Sequence, residues 1–555
     1  MKIMKNLVIN ILTLSIFCFV ITNSSCTKLK DTSYTNIVAK DFVPTNEDVG
    51  ALIGSAYGSW RNVFGGERTL WAAQEYTSDE FCIPRKPYGW YDGGIHQRLH
   101  LHDWTSEDEC FASVWSYAYE GVTNCNRLLF QIESGQIPLT AGKEYDATVG
   151  EIRVLRASFY YVLCDIFGNV PLITKYDVPV GFLPEQNTRL EIYNFIVQEI
   201  TESLPALSED HTVDTYGRFN NKWSVNALLA KIYLNAEVWS GNPEWEKCLA
   251  TCDLIINSNK GFILEPVQRD CFKEQNQNSN ELIWTVPFDE IFGPYQPLNV
   301  IALPQQSSQT YNLRSTGWGG LTSIPQFIDT FDPVDKRVTD GWIRGQLYSS
   351  SGEALTVSSG TLTGQPMIVV NFIPGIDSSE EIHSFRPMKY EVPMGSDPIN
   401  MSNDSPIIRY ADILMMKAEC LMRLGRAGAG ELVTQVRLRS FLNDPSKATV
   451  TDAQLLEGSS YDYGLRDITH GQYRGTTHEG GADINYGRFL DELGWEFCGE
   501  GHRRQDMVRF GIFNRKSYLS FQAHPGGDWD YRNIAPIPLN VLNTNPNLNQ
   551  NPGYN

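Results

Sequence analysis

Residues 223–256 read WSVNALLAKIYLNAEVWSGNPEWEKCLATCDLII, and this stretch decides the fold class. Trp223, Ala227, Ala230 and Leu234 recur at helical spacing, so they line one face of a helix. Gly241-Asn242-Pro243 breaks the pattern, as Gly and Pro do. Trp245, Leu249, Cys252 and Ile256 then start a second stripe. Two amphipathic helices joined by a short turn form a helix hairpin. The small Ala residues let such hairpins stack closely, as tetratricopeptide units do.

The same period recurs on both sides. Upstream, Ile152, Leu155, Phe159, Val162 and Ile166 form a stripe that Gly168 and Pro171 stop. Downstream, Ile407, Ala411, Leu414, Ala418 and Leu421 form another, ended by Gly425 and followed by a short link to Glu431–Arg439. Three stretches break the pattern. Residues 76–105 are rich in Pro, Gly and aromatic rings, 285–405 in Ser, Gly, Pro and Thr with short β-like runs such as Met367–Phe372, and 450–490 in Gly. Long loops inside a helical protein are usually functional or disordered. The expected fold is mainly α: stacked hairpins, with 285–404 a loop-rich, partly β insertion.

The first residues read as an export leader. Lys2 and Lys5 precede an apolar run, Leu7–Ile21, then small residues Thr22–Ser25, then Cys26. A short apolar run behind basic residues is a secretory signal, too short for a spanning helix. A Cys directly after small residues resembles a bacterial lipobox, where several acyl chains on one residue give stable anchoring. Asn23 stands where an aliphatic residue is usual. The expected organisation is a signal at 1–25, a tether at 26–44 lipidated on Cys26, and one unit over 45–555. Within that unit, about 45–284 and 405–555 form the scaffold and about 285–404 the ligand side. Of the 11 Cys, nine remain once Cys18 leaves and Cys26 is lipidated. They form no CxxC, so mostly unpaired buried thiols are expected.

Composition narrows the function. The net charge of -20 argues against nucleic acid, whose phosphates need a basic surface. No GxSxG, HExxH or P-loop occurs. His96, His100 and His102 cluster, but in a Gly-rich, strand-like run they read as surface polar residues, not as metal ligands. No metal and no cofactor is expected.

Five further stretches carry a family resemblance. Gly150–Leu172 (GEIRVLRASFYYVLCDIFGNVPL), Gly217–Trp239 (GRFNNKWSVNALLAKIYLNAEVW), Asn280–Pro287 (NELIWTVP), Ile407–Gly425 (IIRYADILMMKAECLMRLG) and Glu492–Gly511 (ELGWEFCGEGHRRQDMVRFG) occur in order. Pro536-Ile537-Pro538 and Asn545–Tyr554 (NPNLNQNPGY) close the chain. Together they resemble the SusD/RagB family of outer-membrane nutrient-binding lipoproteins. Leu493-Gly494 and Met422 depart from the family pattern at scaffold positions. The resemblance implies a SusD-like scaffold, a lipid anchor in the outer membrane facing outward, and a role in glycan capture. It also implies a SusC-like TonB-dependent transporter as partner and an oligo- or polysaccharide as ligand.

Most motif residues read as structure. Arg409, Tyr410, Asp412, Glu496, Glu500, Arg503, Asp506 and Arg509 are expected to form a buried or half-buried ion-pair network between helices. A glycoside hydrolase would take Glu496, Glu500 and Asp506 as its paired acids, with Glu496 and Glu500 spaced for one helical face. The neighbouring Arg503, Arg504 and Arg509 would hold them ionised, which is wrong for a general acid. No catalytic residue is expected.

The family places its ligand site on loops, where sugars stack on Trp and Tyr. A pyranose face packs its C–H groups on a ring, and its hydroxyls need multi-donor partners. Two loops have that composition. One carries Arg85, Tyr88, Trp90 and Tyr91; the other carries Tyr295, Tyr311, Asn312, Arg314 and Trp318. Trp318, in GWGG, has a structural reading as well, and Trp104 and Trp115 read as core. Peptide uptake, as in RagB, is the alternative function.

Overall fold

In the computed structural model, residues 46–139, 142–212, 215–469 and 475–554 are described. The leader, the tether and Cys26 lie outside them. Nine helices of nine or more residues occur among the described residues. They are α1 (Asn46–Phe64), α2 (Glu109–Glu133), α3 (Lys143–Ile166), α4 (Arg189–Ser203), α5 (Lys222–Leu234), α6 (Trp245–Ile256), α7 (Tyr410–Arg423), α8 (Ala429–Arg437) and α9 (Gly487–Phe497). Successive helices pack on each other in two series, α1 to α4 and α5 to α8. This is the stack of hairpins that the periodicity predicts.

Local chemistry sets the helix ends. The Asn221 side chain accepts the N–H groups of Trp223 and Ser224, capping α5. Thr188 and Glu191 form a reciprocal capping box at α4. On α2, Gly121 lets α3 come close: a Cβ there would lie 2.3 Å from the Phe159 ring. Trp60 stacks on Phe159 and meets Trp284 edge-on, with centroids 5.5 and 5.0 Å away. Trp104 and Trp115 are buried, as expected.

The loop-rich segment leaves and re-enters the scaffold at one point. Strand β1 (Leu282–Val286) pairs antiparallel with β2 (Ser405–Arg409), from Ser405 opposite Val286 to Arg409 opposite Leu282. Between them the chain forms only short helices and two-residue strands. Leu303, Leu347, Leu355, Val357, Met367 and Val369 make a small core of their own. Other residues of the segment, such as Leu298, Ile324 and Trp342, join the main core. Residues Asn46–Asn555 make one compact unit.

Two sequence expectations, on the histidines and on Glu500, are corrected, and the expectation of mostly unpaired, buried thiols agrees with the structure. His96 and His100 lie on a short helix, Ile95–His100, and His102 follows it; all three are fully buried. Gly93 and Gly94 take positive φ and start this turn, and Leu99 draws it into the core. His102 sits between Phe513 and Phe521, with centroids 4.3 and 4.0 Å away, within hydrogen-bonding distance of Asn514 and Thr77. Burial holds its pKa at about 3, so it is neutral. Of the nine thiols, eight are buried and none is in a disulfide; Cys498 is half-buried. Finally, Glu500 is not on the helix of Glu496. Helix α9 stops at Phe497, and Gly499 turns the chain with φ +74°.

Candidate functional site

The ion-pair network is present and is structural. Arg409 is fully buried and reaches three carboxylates: Glu281 at 2.7 Å, Glu496 at 2.8 Å and Glu500 at 2.8 Å. Arg439 joins Glu281 and Glu496, at 2.5 and 2.7 Å. Arg503 holds Asp79 at 2.6 Å, and Arg509 holds Glu419 at 2.7 Å and Asp506 at 2.7 Å. Burial alone would raise the Glu496 pKa. The guanidiniums of Arg439, Arg409 and Arg337 overrule it and hold the carboxylate well below its usual range. The network therefore ties β2, α9 and the segment after α8 together, and the depressed Glu496 has no proton to donate near neutral pH.

The exposed aromatic residues are built differently. Lys86 and Gly89 exchange backbone hydrogen bonds of 3.0 Å, making a tight turn that projects Arg85, Tyr88, Trp90 and Tyr91. Tyr88 donates its hydroxyl to the Gly319 carbonyl at 3.0 Å, and the Trp90 Nε1–H donates to the Trp318 carbonyl at 2.9 Å. The Trp90 and Trp318 rings are half-buried, with centroids 6.5 Å apart. Glycine makes this approach possible: a Cβ on Gly320 would fall 2.3 Å from the Trp90 ring. Beside the pair, Tyr91 is 54% exposed, with the Arg85 guanidinium 5.4 Å from its ring centroid. Arg85 has no carboxylate partner among the described residues. So Arg85, Tyr88, Trp90, Tyr91 and Trp318 are brought together from two distant loops.

A polar edge extends this surface. Arg68 pairs with Asp92 at 3.1 Å and with Glu109 at 2.7 Å. With Tyr117 and Tyr295 it lines an open groove of about 590 Å³. Tyr295 is half exposed and belongs to this edge. Behind Asp92, His96 packs on the Trp90 ring at 5.6 Å, and burial holds its pKa at about 4. Arg68, Asp92 and Tyr117 were not read from the sequence. The only local signal is the Gly65-Gly66 break after α1, which turns Arg68 toward the loop.

Tyr311 and Asn312 lie elsewhere. Tyr311 packs against the small core of the insertion, and its backbone carbonyl accepts the Gly395 N–H at 2.8 Å. Asn312 accepts a hydrogen bond from Ser350. Arg314 pairs with Glu290.

Backbone strain marks the aromatic surface. Trp90 has φ +65° and Tyr295 has φ +74°. For such bulky residues this region costs about 1–3 kcal/mol, and it persists only where the surroundings impose it, often at ligand sites.

The structure is a helical scaffold that carries aromatic residues on loops. Two family models match the chain, "SusD family" over residues 374–554 and "Starch-binding associating with outer membrane" over residues 69–234. Between them they span more than half of it. The chain belongs to the SusD/RagB family. It is 24% identical to the starch-binding protein SusD of Bacteroides thetaiotaomicron, over 88% of this chain and 86% of that one. Surface glycan-binding protein A from Bacteroides thetaiotaomicron, solved in complex with laminarihexaose, shares the fold. Its TM-score is 0.68 at 17% identity, covering 92% of this chain and 100% of that one. The Bacteroides uniformis surface glycan-binding protein A aligns with TM-score 0.66 at 19% identity, over 91% and 99%.

Proposed function

We propose that this protein captures oligo- or polysaccharide on the Trp90–Trp318 surface and delivers it, without catalysis, to a SusC-like TonB-dependent transporter. It does so as a lipoprotein anchored through Cys26 on the outward face of the outer membrane. The observation that carries the reading is the cluster of half-buried rings beside the exposed Tyr91, placed by glycine and backbone hydrogen bonds, with no carboxylate partner for Arg85 among the described residues. A sugar face stacks on Tyr91 or Trp90, and the guanidinium serves neighbouring hydroxyls. Tyr295 and the Arg68 edge extend the surface for a longer chain. The family's glycan-binding members support the same ligand class. The absence of catalysis rests on Glu496, whose guanidinium neighbours leave it no proton to give.

The test is isothermal titration of the protein against linear glucans, laminarihexaose and maltohexaose first, comparing parent with Tyr91→Ala. Measurable heat that falls in the variant is expected. Equal affinity of parent and variant for every ligand bound would remove this surface from the reading. New reducing ends in the same mixtures would overturn the non-catalytic role.

A further inference from the structure

The groove beside Tyr295 does not end at the ring surface. It shares Gly58 and Arg61 with a second open groove of about 720 Å³, which continues along α1 past Gly54 and Gly50 and reaches Asp404. The three glycines are four residues apart, so they lie on one face of the helix. A Cβ on Gly50 or Gly54 would meet nothing within 4 Å, so this face is an open floor. From Gly50 to Arg61 the floor runs about 16 Å, at the usual helical rise.

Arg61 stands where the grooves meet. It is half-buried, yet its guanidinium has no hydrogen bond and no ion pair among the described residues. Gly293 makes room for it: a Cβ there would run into the guanidinium. Guanidinium donors held in a groove without a protein partner are open to water or to a ligand. In the second groove Asp404 is 5% exposed. One of its carboxylate oxygens accepts the Phe288 N–H at 2.7 Å, and the other has no partner among the described residues. Between the grooves the chain makes a tight turn. Asp289 and Gly293 exchange backbone hydrogen bonds of 3.1 Å, and the Asp289 side chain accepts the N–H groups of Ile291 and Phe292. Asp289 lines the second groove, and Pro294 and Tyr295 line the first. The turn therefore holds the Phe292 ring, 87% exposed, between them.

The lining selects the ligand. Ser55, Ser59, Asn62, Gln275 and Gln277 supply groups that both donate and accept, as sugar hydroxyls require. A protein partner would be met by an apolar centre with a polar rim, and these grooves are polar along their length. Six carboxylates line the pair, three in each groove, against three guanidiniums, and one of these, Arg218, is held by Glu151 at 2.7 Å. Such an excess of acid repels uronate and sulfate groups. We propose that the two grooves form one track for a long, uncharged polysaccharide chain, which leaves the ring surface past Tyr295, stacks on Phe292 and accepts hydrogen bonds from Arg61. The inference rests on glycan capture at the Trp90–Trp318 surface and adds the class of glycan.

The test screens the full-length protein by gel retardation against neutral polysaccharides (amylose, laminarin, mannan and galactan) and against polygalacturonate. Isothermal titration then compares each polysaccharide that binds with its own hexasaccharide, in parent, Arg61→Met, Phe292→Ala and Gly54→Phe. Gly54→Phe fills the groove from a position with open space around it, and it replaces a residue that itself weakens a helix interior. The expected result is a polysaccharide bound at least tenfold more tightly than its hexasaccharide, an advantage that falls to within threefold in each variant. Hexasaccharide affinity and melting temperature should stay at the parent's values. The statistical gain from many registers on a polymer is the same in all four proteins, so the variants isolate the groove. The full advantage retained in two or more variants overturns the inference, as does polygalacturonate bound as tightly as any neutral chain. Hexasaccharide binding with no chain-length advantage overturns it and leaves glycan capture at the rings standing. A parent that binds none of these glycans overturns both.

Discussion

Arginine lies over an aromatic ring in two very different places in this protein. Arg409 stands 4.7 Å from the Phe497 centroid, fully buried, with three carboxylates using its donors. Arg85 stands 5.4 Å from the Tyr91 centroid, exposed, with no carboxylate partner among the described residues. The pairing of residue types is the same; the difference is what remains unsatisfied. A buried guanidinium must be saturated or it destabilises the fold. An exposed one can leave its donors to water and exchange them for a ligand's hydroxyls. In the first place arginine holds helices together, and in the second it is left available for binding.

The largest effect should come from breaking the first arrangement. Arg409→Met leaves Glu281, Glu496 and Glu500 buried beside fewer cations, and removing one partner from a buried ion pair costs about 3–5 kcal/mol. Urea unfolding should show a midpoint shift of that size, or the variant should fail to accumulate folded. A loss below about 1 kcal/mol would mean that the network is not what joins these elements.

Acid should separate the two regions next. Although burial opposes it, Arg509 and Arg423 hold the Glu419 pKa at about 2, and Glu496 is also depressed. A depressed folded pKa gives stability that is present above the unfolded value of about 4.3 and lost as pH falls through the folded one. Melting temperature should therefore drop steeply below about pH 4. Between pH 4 and 7 opposing contributions offset. Burial lifts Asp412 and Glu75 to about 7, which adds stability as pH falls. Burial also lowers His96 to about 4 and His102 to about 3, which removes it. Glucan affinity should stay flat from pH 5 to 8, because an indole ring has no proton to exchange there. A melting temperature that holds to pH 2.5 would contradict the linkage.

Smaller effects should appear at the aromatic surface. Tyr91→Ala and Trp90→Ala each remove a ring worth roughly 1–2 kcal/mol against a sugar face, so affinity should fall on the order of tenfold. Tyr91→Ala should leave the melting temperature unchanged, since that ring is largely exposed. Trp90→Ala should also lower it, since its ring packs on Trp318 and Gly320. The smallest effect on binding is expected from Tyr311→Ala. Affinity within twofold of the parent would agree with its place at the insertion's own core; a tenfold loss would return Tyr311 to the ligand surface.

The sequence by itself determined that the fold is mainly helical and where four of its long helices run. The stripes from Ile152 to Ile166 and from Trp223 to Ile256 state their buried faces through the 3.6-residue period. The NELIWTVP and IIRYAD segments fall where β1 and β2 pair. It also marked Arg409, Glu496, Glu500, Arg503, Asp506 and Arg509 as core charges, while their partners Glu281, Arg439, Asp79 and Glu419 came only from the structure. Only the tertiary structure decided which aromatic residues share a surface. Tyr88, Trp90 and Tyr91 lie more than 200 residues from Trp318, and no period relates loops whose geometry depends on what they rest against. Composition alone treats Tyr311 and Tyr91 alike; the packing of Tyr311 against Met388 and the exposure of Tyr91 separate them. The three histidines show the same limit. Their Gly-rich context reads as surface, and burial followed from Leu99 and the rings around His102, which the chain brings in from positions 513 and 521.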